Sequence, residues 1–215
     1  MSAHRFGKLF RKKSPQNDET NQLLLNRVFG CDPKLVASKD GLSCPALFTT
    51  LAGFIIKYGI QTSGILRNNG DFNAVSFWRR CCEAGEVLDM RRLDGLMRNQ
   101  SSNTAEFDVF VASSLIFAYL NSLPEPLVSN TVAELLLEEE TPVVDCIAQL
   151  PEINRHMLGI LLYVSHECLR YADVNKTTVE SISTVYGPAI TRVGSLRDDF
   201  LQNDPIAHVR EKADR

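Results

Sequence analysis

From residue 44 onward apolar residues recur at three- and four-residue steps, and no stretch shows the two-residue alternation of a half-buried strand. Leu47, Leu51, Phe54, Ile55 and Tyr58 follow Ser43-Cys44-Pro45, where proline favours a first helical turn, and Gly59 is the expected stop. A second helix is predicted from Asp71 as N-cap through Phe72, Val75, Trp78 and Cys82 to Gly85. Residues 86–104, rich in Arg, Asn and Ser, read as short broken pieces. A long helix over Glu106–Ser122 carries Phe110, Leu115 and Tyr119, with apolar residues on more than one face. Leu123-Pro124-Glu125-Pro126-Leu127 then forces an extended segment, because each proline restricts the residue before it.

Further helices are predicted over Asn130–Glu140, Pro142–Leu150 and Glu152–Tyr171, the last with Ile153, Met157, Ile160, Leu161, Val164 and Cys168 in register. Thr177-Thr178-Val179-Glu180 has the Thr-x-x-Glu form of a capping box and opens a helix through Ile182, Val185 and Tyr186. Gly187-Pro188 is its expected end. The pattern is that of an all-α protein.

The ends differ from this middle. Residues 1–20 are polar and read as a disordered basic tail, the domain occupies 21–195, and 196–215 form an extension, partly helical or disordered. With 215 residues, 44% hydrophobic and 23% charged, the chain suits one domain with tails. A net charge of −3 speaks against a general nucleic-acid binder, which needs surplus cations to displace counterions from phosphates. The longest apolar run, Met157 to Val164, is far short of the ~20 residues that span a bilayer. Six cysteines without a C-x-x-C pair fit a reducing compartment, so a cytoplasmic location is expected. Residues 4–13, with Arg5, Lys8, Arg11, Lys12 and Lys13, could add peripheral contact with an anionic membrane, at about 1 kcal/mol per basic residue.

Candidate chemistry is thin. The chain lacks a G-x-x-x-x-G-K-[ST] loop, a G-x-G-x-x-G turn and a G-x-S-x-G elbow, so no cofactor and no catalytic site of its own are expected. His166-Glu167-Cys168-Leu169-Arg170 approaches H-E-x-x-H but has arginine in place of the second ligand, so no metal site is expected either. Cys81-Cys82 is read as one side chain inward and one outward on a helix, without redox function.

Three phrases carry more information. They are Gly64-Ile65-Leu66-Arg67-Asn68-Asn69-Gly70, then Leu115-Ile116-Phe117-Ala118-Tyr119-Leu120-Asn121-Ser122 running into Leu123-Pro124-Glu125-Pro126-Leu127, then Asn175-Lys176-Thr177-Thr178 with Val185-Tyr186-Gly187-Pro188. In order and approximate spacing they resemble the G-I-[FY]-R-x-S-G, L-L-K-x-Y-L-R-x-L-P-E-P-L and N-K-M-T-x-x-N-L-A-x-V-F-G-P phrases of the Rho GTPase-activating protein (RhoGAP) domain. The resemblance spans about Phe29 to Arg192.

It implies a single bundle of about nine helices that docks on a GTP-bound Rho-family small GTPase and lends Arg67 to its active site as an arginine finger. The glycines on either side, Gly64 and Gly70, would give the loop mobility. It also exposes three departures: Phe117 stands for the family's Lys, Asn121 for its Arg, and Ser181 for the Asn of N-L-A. Two functions are therefore expected. One is an activator working through Arg67 on an altered contact surface. The alternative is a RhoGAP-like module, weak or inactive in catalysis, that binds a GTPase or another signalling partner as a scaffold, with Phe117 as an apolar anchor.

Overall fold

The structure is a computed structural model and describes residues 27–98, 106–138 and 140–192. These residues form ten helices and no strand: α1 Pro33–Asp40, α2 Ala46–Tyr58, α3 Phe72–Glu83, α4 Met90–Arg98, α5 Val109–Ser122, α6 Asn130–Glu138, α7 Val143–Ala148, α8 Glu152–Leu169, α9 Ala172–Asn175 and α10 Val179–Thr191. The expected tail at 1–20, including residues 4–13, and the extension at 196–215 lie outside the described residues.

The bundle is organised around α5, which packs against α2, α3 and α10. Leu115, Tyr119 and Leu120 are fully buried, and the Tyr119 ring meets Phe29 and Phe48 at centroid separations of 5.7 and 5.8 Å. Covered on several sides, α5 needs apolar residues on several faces. Its outer stripe consists of half-buried Phe110 and Ser114 and exposed Phe117 and Asn121, spaced by helical turns.

The structure departs from the sequence expectation chiefly at four places, besides the short α9. Helix α1 was not anticipated, because only Val36 and Ala37 face inward; its punctuation is nonetheless complete, with Asp32 accepting from the Lys34 N–H at 2.8 Å, Pro33 at the first turn, and Gly41 in the left-handed conformation. Helix α4 forms where broken pieces were expected. It buries Leu93, and its charges are answered by tertiary partners: Asp94 accepts from Lys57 and from the Tyr58 hydroxyl, each at 2.8 Å, while Arg92 lies 5.5 Å above the Trp78 ring. Both Cys81 and Cys82 are buried, correcting the one-in, one-out reading; burial pushes the Cys82 thiol up to about 12, leaving it protonated and inert.

The fourth departure concerns α10. Its N-cap is Thr178, whose hydroxyl accepts from the Ser181 N–H at 3.1 Å, so the box partner is Ser181 rather than Glu180. The helix also runs through Gly187-Pro188 to Thr191. Pro188 forfeits one intrahelical bond, but the last turn is held from outside. Val128 donates to the Ile190 carbonyl at 2.8 Å, and the Arg192 guanidinium donates to the carbonyls of Leu120, Asn121, Leu123 and Pro124 at the end of α5.

Candidate functional site

The first family-like phrase forms the connection between α2 and α3, and its backbone decides which side chains point out. Gly64 sits at φ 80°, and Leu66, a branched residue, at φ 60°. A left-handed conformation at a residue like Leu66 costs about 1–3 kcal/mol and persists only where the surroundings impose it. The surroundings here are the core: Ile65 is 0% and Leu66 1% exposed. Anchoring these two side chains inward turns Arg67, Asn68 and Asn69 outward, and all three are exposed. The turn is closed locally by the Gly64 carbonyl, which accepts from the N–H groups of Arg67 at 3.1 Å and Asn68 at 2.8 Å.

Two distant segments hold this loop. On one side Asn175, fully buried, donates its amide to the carbonyls of Ile60 at 2.7 Å and Cys168 at 2.6 Å, while its own carbonyl accepts from the Gly64 N–H at 2.8 Å. The Asn175 side-chain oxygen accepts from the Thr177 N–H at 2.8 Å, and the buried Thr177 hydroxyl donates to the Ile65 carbonyl at 3.1 Å. These bonds explain why Thr177 does not cap α10: its hydroxyl and N–H are already committed to the loop network. On the other side the Gly70 N–H donates to the Ser114 hydroxyl on α5 at 2.9 Å.

Gly70 earns its place through contact rather than mobility. A Cβ there would lie 2.6 Å from the Val111 backbone nitrogen, so only glycine lets the loop lie against α5. The sequence suggested mobility for this glycine; the structure adds a packing requirement. At Gly64 it is the left-handed φ that favours glycine, since the nearest atoms to a Cβ there belong to the tip of the exposed Asn68 side chain.

Arg67 itself makes no ion pair among the described residues. The three other candidate positions each have a partner within the domain, Phe117 on α10 and Asn121 and Ser181 within their own helices. Phe117 is 38% exposed, and its ring stands edge-on to Tyr186 at 6.4 Å. Tyr186 is fixed in turn by a 3.0 Å hydrogen bond between its hydroxyl and that of Ser113, and burial pushes its phenol up to about 12. Asn121 donates its amide to the Phe117 carbonyl at 2.9 Å. The Ser181 hydroxyl donates to the Thr178 carbonyl at 2.9 Å and accepts from the Thr178 N–H at 3.0 Å, so it serves the cap of α10. Phe117 and Asn121 share the outer stripe of α5 with Ser114, whose hydroxyl touches the loop. Ser114 and Asn175 were not singled out by sequence reasoning, and Thr177 only as a helix cap. For the latter two a signal existed, since both lie in the third phrase.

Comparison with known proteins places the chain in a family. The RhoGAP domain model matches residues 45–195. The chain belongs to the RhoGAP family. Human Rho GTPase-activating protein 24 is 30% identical over 159 residues, covering 69% of this chain and 20% of its own length. Rho GTPase-activating protein gacA of Dictyostelium discoideum is 26% identical over 174 residues, covering 78% of this chain and 46% of its own. The chain thus spans a fifth to under a half of these relatives. Among solved structures, human Rho GTPase activating protein 15 superposes with a TM-score of 0.68 at 19% identity, covering 84% of this chain and 85% of that one, which shows the shared RhoGAP fold.

Proposed function

We propose that this RhoGAP domain accelerates GTP hydrolysis by a Rho-family small GTPase, and that Arg67 is the residue it contributes. The observation that carries this reading is an exposed arginine, without an ion pair among the described residues, next to a buried, left-handed Leu66. Backbone strain beside a presented cation is a costly arrangement, of the kind found at functional sites. In hydrolysis, charge spreads over the oxygens of the transferred phosphoryl group and the leaving oxygen, and a permanently protonated guanidinium with a planar fork of donors stabilises it better than water. Arg67 reaches a partner that is GTP-bound, so it acts in trans; the nucleotide and the attacking water belong to the GTPase.

The deciding experiment is single-turnover GTP hydrolysis by a panel of Rho-family GTPases, with and without stoichiometric protein, for the native chain and Arg67→Ala. Acceleration that vanishes in the variant supports the finger. A panel unaffected by the native chain rejects it.

A second reading, a RhoGAP module that binds without accelerating, draws on a different observation. Where the resemblance leads one to expect cations, the surface offers the apolar edge of Phe117, and the polar groups of Asn121 and Ser181 are spent within their own helices. Nucleotide-state preference separates the two. An activator binds a GTPase loaded with GDP and a planar phosphate mimic more tightly than the GTP-like state, being complementary to the transition state. A scaffold shows no such preference.

A further inference from the structure

We infer that Ser114 and Thr177 are positioning residues for Arg67, pinning the two ends of its loop so that the guanidinium is already presented when a partner arrives. This rests on the reading of Arg67 as the finger. Within the loop, the two bonds to the Gly64 carbonyl close the turn but leave the Ile65 carbonyl and the Gly70 N–H unanswered. Thr177 answers the first at 3.1 Å and Ser114 the second at 2.9 Å. The two hydroxyls come from different elements, one ahead of α10 and one on α5, and they hold different ends of the loop, so they fix its orientation as well as its place. The Thr177 hydroxyl is itself aimed by Asn175, which takes the Thr177 N–H on its side-chain oxygen while bridging the carbonyls of Ile60 and Cys168. Thr177 is 1% exposed, so it can influence a partner only through the loop. Leu66 supplies the reason that pins are needed: a branched residue held at φ 60° relaxes to ordinary backbone geometry once its neighbours are released, and Arg67 swings with it.

The test compares Thr177→Val, which swaps the hydroxyl for a methyl group of similar size, with Thr177→Ser, which keeps it, and with Ser114→Ala. Single-turnover hydrolysis is titrated on the GTPase that responds best to the native chain. Affinity is measured for that GTPase loaded with a non-hydrolysable GTP analogue and with GDP plus aluminium fluoride. Thr177→Val and Ser114→Ala are each expected to lower the maximal rate about tenfold, since small misplacements of a catalytic group are costly, with the half-saturating concentration and the affinity for the GTP-analogue state unchanged. Affinity for the aluminium fluoride state falls in parallel, Thr177→Ser restores both, and Thr177→Val adds no further loss in an Arg67→Ala background.

Native maximal rates in Thr177→Val and Ser114→Ala overturn the inference while leaving the finger intact. So does equal weakening of both nucleotide states, or a loss that persists without Arg67. A native chain that accelerates no GTPase overturns the finger reading itself, and the inference with it. If Thr177→Val fails to fold, Ser114→Ala, at a half-buried site, decides on the same criteria.

Discussion

The loop between α2 and α3 and the outer stripe of α5 lie side by side, joined by the bond from Gly70 to Ser114, yet they are built on opposite terms. The loop carries strain at Leu66, a left-handed Gly64, a glycine pressed against Val111 and a network reaching to Asn175, all around one exposed cation. The stripe is relaxed: Asn121 bonds its own helix, and Phe117 leans on Tyr186. Under the proposed function the contrast is informative. A transition-state charge can be met only by a charge in the right place, so the loop keeps costly geometry to hold one. Docking can be served by several chemistries, so the neighbouring stripe is free to exchange cations for an apolar edge and a neutral amide.

Substitutions on the two sides of this divide sharpen it. Arg67→Ala is expected to remove roughly 10³ to 10⁵ of the rate acceleration, the range associated with arginine fingers, while changing affinity for the GTP-analogue state little; single-turnover kinetics measures the first and titration the second. Gly70→Ala places a methyl group against the α5 backbone and is expected to cost about 1–3 kcal/mol of stability, as overpacking does, read as a lowered melting temperature together with a slower maximal rate. On the stripe, Phe117→Ala is expected to weaken binding of the GTP-analogue state by about 1–2 kcal/mol without altering the maximal rate at saturation, as an interface aromatic does. An unchanged Kd would remove Phe117 from the contact and with it the apolar substitute for lysine. The smallest effect is expected from Asn121→Ala. Its amide is already bonded to the Phe117 carbonyl, so Kd should stay within a factor of about two, the scale of an exposed surface change.

Much of this architecture was legible in the order of residues. Helices α2, α3, α5 and α8 follow from apolar periodicity because each buries a wide face, and Arg67 stood out because its phrase is distinctive. Helices α1 and α4 were harder for a physical reason. Helix α1 gives the core only Val36 and Ala37, whereas α4 packs Met90, Leu93, Leu96 and Met97 against it, a spacing interrupted in the string by charges that become intelligible only beside Lys57, Tyr58 and Trp78. The α10 cap was misplaced by one residue because Thr177 and Thr178 look alike in a string, while only one of them is claimed by the loop. The network around Arg67 was least legible. Asn175 meets the carbonyl of Ile60 across a separation of 115 residues, and although its phrase stands out in the string, nothing local names the partner it reaches.

That span has a consequence in time. Thr177 follows Ile65 by 112 residues, so a ribosome that has just finished the loop has yet to make the group that fastens it. At a synthesis rate of about 5–20 residues per second the interval is about 6 to 22 s. During it the loop is held by its own turn, by Ile65 and Leu66 and by Ser114, without the bonds from Asn175 and Thr177. A nascent chain halted before Asn175 therefore carries Arg67 on a loop fastened at one end.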